Sequence, residues 1–271
     1  MKVSDRLRGM NEDKKSILCV GLDSDISLIP DFLFREANPL LAFNKAIIEA
    51  TAPYAVAYKL NTAFYEVLGQ RGWNVMEQTL KYLPENVIKI ADAKRGDIGN
   101  TSNFYARAFF ETLPFDCITV NPYMGRDSVL PFLSYPNKMV FILALTSNEG
   151  AHDFQFSFDG TSKLYEKVIQ KSLEWQRSGV GEVGFVVGAT QAEHLESVRN
   201  IAPNTTLLIP GIGAQGGSLQ DVCQYGNYPD GNLLINISRS IAFATRGLDF
   251  KEAAQQEAQK IHQEIQTALS L

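Results

Sequence analysis

Short, continuously apolar runs recur along nearly the whole chain, at residues 17–22, 55–60, 87–91, 117–120, 139–145, 183–187, 207–209 and 233–237. Each is bounded by Gly, Pro, Asn or Asp and has the length of a strand. They show no in–out alternation, as expected of parallel strands covered on both faces. Between them the period changes to that of helices. Residues 40–51 place Leu41, Phe43, Ala46, Ile47 and Ala50 mostly on one side, and 75–83, 101–112, 163–176 and 192–199 read as further helices. The last helix starts at Asp249, whose spacing from Glu252 is a capping-box variant, and Ala254, Ala258, Ile261, Ile265 and Leu269 then share a face.

Eight strand–helix alternations with no low-complexity linker predict an α/β chain folded as one closed (β/α)8 barrel domain over residues 1–271. An open doubly wound sheet has the same periodicity and stands as the alternative. Residues 24–39 and 148–161 are longer connections holding Pro, Gly and aromatic residues, and read as functional loops or lids.

Composition narrows the function. A net charge of -5 argues against binding nucleic acid through the overall field, though it leaves room for a local phosphate pocket. Cys19, Cys117 and Cys223 are odd in number and widely spaced, which fits a reducing compartment. The first sixteen residues are highly charged with no apolar core of a secretory signal, and no apolar run could cross a bilayer. A soluble cytoplasmic protein without a membrane partner is the expectation. His152, His194 and His262 lie too far apart for a metal motif; His194 and His262 are expected on the surface, as is the Lys14–Lys15 pair.

In a barrel of this kind, catalytic groups sit at the C-terminal strand ends. Those ends carry Asp23, Lys59 with Asn61, Asp92 with Lys94, Asn121, Thr146 with Ser147, Gly188, the GIGAQGG turn of residues 211–217, and residues 236–239. Asp92 and Lys94 point to one face of their strand, and Asp97 follows three residues on. Four charged groups on the first three strands would be costly inside a barrel unless they served a site. The glycine-rich turn can aim backbone N–H groups at an anion, Gln215 adds a donor, and Arg239 at the next strand end supplies a fork suited to phosphate. A phosphorylated small molecule is the expected ligand. Two carboxylates about 4 Å apart repel by roughly 4 kcal/mol at an effective dielectric near 20. A substrate carboxylate pressed against Asp92 would be relieved by leaving as carbon dioxide, while Lys94 could stabilise the resulting carbanion and protonate it.

The run DAKRGDIGNT, residues 92–101, resembles the signature of the orotidine 5′-phosphate decarboxylase family. VGLD ending at Asp23, YKLN holding Lys59, TSNEGA from Thr146, GIGAQGG, and ISRSI from Ile237 match in the same order. The length and the TSN form resemble the longer-loop bacterial branch, often called type 2. The resemblance implies a (β/α)8 barrel working as a homodimer that converts orotidine monophosphate to uridine monophosphate without metal or organic cofactor. It implies Lys94 as proton donor, Asp92 near the departing carboxylate, and Lys59 and Asp97 completing the charge array. Asp97 and Thr101 would reach the partner subunit's site, Asp23 and Thr101 would bind ribose hydroxyls, Ser147 the pyrimidine, and Gln215 and Arg239 the phosphate. Glu149 departs from the proline that many members carry there. A metal-dependent sugar-phosphate decarboxylase or lyase of the same barrel group is the alternative activity, and a silent phosphate-ligand sensor is a third reading.

Overall fold

The computed structural model describes residues 1–212, 216–227 and 232–269. Among these, eight strands form a closed, parallel barrel in sequence order, which rules out the open sheet. They are β1 (Leu18–Gly21), β2 (Ala55–Asn61), β3 (Ile88–Arg95), β4 (Cys117–Val120), β5 (Met139–Leu145), β6 (Glu182–Val187), β7 (Thr206–Pro210) and β8 (Leu233–Ile237). Strand parity divides the core in two. Leu18, Val20, Tyr58, Leu60, Ala91, Ile118, Val140 and Ile142 belong to the larger cluster together with apolar residues of the surrounding helices. Cys19, Ala57, Ile88, Ile90, Cys117, Met139, Phe141, Leu208 and Leu234 form a separate cluster inside the barrel.

Helices 40–51, 163–176 and 192–199 appear close to their predicted places, as Pro39–Thr51, Leu164–Gln176 and Leu195–Ile201, the last preceded by a 3-10 turn. Asn38 caps the first of these by accepting from the Leu41 N–H at 3.3 Å. The C-terminal helix Phe250–Leu269 buries Ala254, Ala258, Ile261 and Ile265, the face its spacing predicts. Helix Gln70–Tyr82 starts earlier than expected, and Gly99–Arg107 passes into a π-helical segment at Ala108–Thr112. Among the described residues no helix is long and apolar enough to cross a membrane.

Helix Val3–Lys14 was absent from the predicted elements, hidden by its charge. It closes the N-terminal end of the barrel: Val3 and Leu7 are fully buried in the inner cluster. Glu182 at the start of β6 accepts from the N–H groups of Val3 and Ser4 at 2.7 and 3.2 Å, meeting the unsatisfied donors of the helix start. Arg6 pairs with Asp116 at 2.6 Å. Lys14 is not the solvated charge expected; its ammonium donates to the Ala52 and Ala55 carbonyls at 2.9 and 2.7 Å, and burial lowers its pKa.

Candidate active site

The inner parity continues upward from apolar to polar. Two-residue steps lead from Cys19 through Gly21 to Asp23, from Ala57 to Lys59 and Asn61, from Ile90 to Asp92, from Cys117 to Thr119, and from Leu234 to Asn236. These groups line a cavity of about 330 Å³ at the C-terminal end of the barrel. Leu143, Val186 and Leu208 form its apolar wall; Lys94, Ser147 and Arg239 also face it.

Four charges alternate along one edge. Lys59 is almost fully buried, with Nζ 3.1 Å from Asp23 Oδ1 and 3.0 Å from Asp92 Oδ2. Burial alone would favour the neutral amine, but Asp23 and then Asp92 outweigh it and hold the Lys59 pKa above its ordinary 10.5. Asp92 Oδ1 lies 2.6 Å from Lys94 Nζ. Burial opposes charge on Asp92 as well, yet Lys59 and Lys94 keep its pKa below the ordinary 3.8. The Lys94 side chain remains 51% exposed beside an Asp92 side chain that is only 13% exposed.

A local irregularity aims Lys94. Ala91 pairs with Ile118 and Arg95 with Val120, so residues 92–94 of β3 stand against Thr119 alone in β4. Lys94 takes up the excess with φ of 47°, a left-handed conformation uncommon for a side chain of its kind. Its backbone N–H donates to Thr119 Oγ1 at 2.9 Å, and that hydroxyl donates to Asp92 Oδ1 at 3.0 Å.

The expected residues divide into three groups. Asp23, Lys59, Asp92, Lys94, Ser147 and Arg239 line the cavity together. Asp23 adds a second carboxylate beside Lys59 and extends the charge row within the chain. Asp97 and Thr101 lie outside this chain's cavity: Asp97 Oδ1 accepts from the Ile98 N–H at 2.7 Å, and Thr101 is exposed on helix Gly99–Arg107. Gln215 lies outside the described residues. Gly211, just past β7, has φ of 102° and lines the same cavity as Arg239.

Other strand-end residues serve the frame. Asn121 Oδ1 accepts from the Tyr123 N–H at 3.0 Å. Gly188 permits close approach, since a Cβ there would meet the Ser147 backbone nitrogen at 2.7 Å. Thr119 and Gln155 escaped the sequence reading. Gln155 accepts from the Thr146 N–H at 2.8 Å and donates to its Oγ1 at 2.7 Å, bracing the residue before Ser147. A threonine at an inner position of an apolar strand was the available signal for Thr119. His152 stacks on Phe156 at 4.7 Å. His194 and His262 are half-buried against aromatic rings rather than on the open surface, and burial lowers the pKa of both. Among the described residues no three His, Cys, Asp or Glu side chains gather to hold a metal ion.

Comparison with known proteins gives a consistent picture. The sequence profile of the Orotidine 5'-phosphate decarboxylase / HUMPS family matches residues 16–256. Orotidine 5'-phosphate decarboxylase of Phocaeicola vulgatus is 54% identical over 259 residues, 94% of each chain. The protein of the same description from Bacteroides fragilis is 53% identical over 256 residues, 93% of each. Among solved structures, OMP decarboxylase of Leishmania donovani superposes with a TM-score of 0.86 at 36% identity, covering 100% of both chains.

Proposed function

The chain belongs to the Orotidine 5'-phosphate decarboxylase / HUMPS family, and from that premise we propose that its cavity converts orotidine 5′-monophosphate to uridine 5′-monophosphate, the last step of de novo pyrimidine synthesis. The observation that carries this reading is the Lys94 ammonium, held 2.6 Å from the largely shielded Asp92 carboxylate at the cavity wall. In the reaction, the bond from the pyrimidine ring to its carboxylate breaks and the electron pair stays on the ring carbon as carbon dioxide leaves. Negative charge therefore grows where Lys94 can stabilise it, so that interaction is stronger in the transition state than in the bound substrate. Lys94 then gives a proton to that carbon and is reprotonated from water. Asp92 repels the substrate carboxylate and stays ionised at neutral pH because Lys59 and Lys94 lower its pKa. The apolar wall suits uncharged carbon dioxide.

Arg239 and the Gly211 turn support a phosphate site at the ends of β7 and β8, with Gln215 as a further donor; Ser147 would meet the pyrimidine and Asp23 the ribose. We assign Asp97 and Thr101 to the site of a partner subunit in a homodimer. Support comes from their position beyond their own cavity and from nearby apolar exposure, with Ile98 and Phe104 each at 59% and Tyr123 at 87%. The Thr146-Ser147-Asn148 form supports membership of the longer-loop bacterial branch. The metal-dependent alternative is disfavoured by Lys59, whose ammonium sits within 3.1 Å of both Asp23 and Asp92, where a cation binding both carboxylates would have to lie.

A spectrophotometric assay with orotidine monophosphate in excess chelator, run beside Lys94→Ala, tests the proposal. Turnover should persist in chelator and vanish in the variant. Activity confined to a keto-sugar phosphate, or dependent on added magnesium, would reject it.

A further inference from the structure

Thr119 is one of the few polar side chains set on the inner face of a strand, and it is 1% exposed. Its hydroxyl bridges the backbone of Lys94 and the carboxylate of Asp92. As acceptor, it takes the backbone N–H of Lys94 at 2.9 Å, a donor that the shifted β3–β4 register leaves opposite a side chain. As donor, it commits its single proton to Asp92 Oδ1 at 3.0 Å, the oxygen that Lys94 Nζ also approaches at 2.6 Å. A hydroxyl has one proton, so accepting from the amide and donating to the carboxylate fixes its orientation completely.

We propose that Thr119 is a positioning residue for the decarboxylation. It holds the backbone of Lys94 in its left-handed conformation and, through the same oxygen, sets the Asp92 carboxylate against which the Lys94 ammonium is aimed. Without the hydroxyl, the Lys94 N–H loses its acceptor and Asp92 loses a donor. The ammonium then shifts relative to the ring carbon, while the phosphate and ribose contacts elsewhere in the cavity are untouched. The inference rests on the function proposed above.

The test compares the wild type with Thr119→Val, which keeps the shape and removes the hydroxyl, and Thr119→Ser, which keeps the hydroxyl. Displacement by about 1 Å commonly slows a reaction by up to roughly 100-fold, so kcat of Thr119→Val should fall about 10- to 100-fold. KM for orotidine monophosphate and the affinity for uridine monophosphate should stay within about threefold, the range of ordinary context variation, and Thr119→Ser should recover most of the rate. An unchanged kcat in Thr119→Val overturns the proposal, as does a loss carried by KM or one that serine fails to restore. If Thr119→Val does not fold, a large loss of kcat in Thr119→Ser overturns it and near-wild-type turnover supports it. Failure of the wild type to decarboxylate the nucleotide would instead refute the underlying function, so the two failures are separable.

Discussion

At the N-terminal end of the barrel, Arg6 meets Asp116, Glu182 accepts from the helix start, and Val3 and Leu7 plug the interior. At the C-terminal end, Asp23, Lys59, Asp92 and Lys94 alternate in sign around a cavity of about 330 Å³, and the row finishes at a half-exposed ammonium. Both ends neutralise their charges, but the lower set fastens a lid and the upper set leaves space beside its last member. One two-residue step along a strand separates the packed layer from the cavity lining: Ala57 and Ile90 belong to the first, Lys59 and Asp92 to the second. On the proposed function, stability and chemistry occupy adjacent storeys of one barrel, and substitutions should sort by storey.

The largest expected effect lies above. Lys94→Ala should reduce kcat by at least about 1,000-fold, since on the proposed mechanism it removes both electrostatic stabilisation and the proton donor, with little change in melting temperature. A large fall in melting temperature would blur the division of labour. Lys59→Met should affect both properties, because it leaves Asp23 and Asp92 facing each other. A loss of about 3–5 kcal/mol in urea unfolding is expected from stranding buried charge, together with a loss of turnover. Below, Leu7→Ala should cost about 2–5 kcal/mol by opening a cavity in the lower plug. Its kcat, measured well below the melting temperature, should equal that of the wild type. A lowered kcat there would show that the two storeys are coupled.

A smaller effect appears with pH. The Asp92 pKa is lowered in the folded state, so its charge contributes stability above the ordinary 3.8, and this is lost as pH falls below that value. The Lys59 pKa is raised, so its contribution is complete below 10.5 and disappears as pH rises further. Urea midpoints across the acid range should therefore fall less steeply for Asp92→Asn than for the wild type. Identical acid slopes would remove Asp92 from the account.

The strands were legible because parallel strands covered on both faces need uninterrupted apolar runs, and few alternatives satisfy that. The apolar run of β3 ends at Ala91, whereas the strand continues to Arg95. Its last residues are polar because they line or border the cavity, so the composition that betrayed the site also concealed the strand. Helix Arg126–Leu133 was obscured by Pro131 within it, and Val3–Lys14 by a charged surface around two buried side chains. The charged members of the site were visible as an expensive cluster. Thr119 was not, since a lone hydroxyl in an apolar strand is a cheap and common occurrence. Nor could linear order show that Asp23 meets Lys59; that contact depends on β1 pairing alongside β2.

The dihedral of Lys94 has a consequence for how this protein can be improved or damaged. A residue with a Cβ held at φ of 47° sits about 1 kcal/mol above its relaxed backbone, a burden that glycine escapes. Lys94→Gly should accordingly resist urea better than Lys94→Ala, although on the proposed mechanism both lose turnover. Selection for robustness alone would erode this position, and the turnover proposed for Lys94 is the demand that would oppose it.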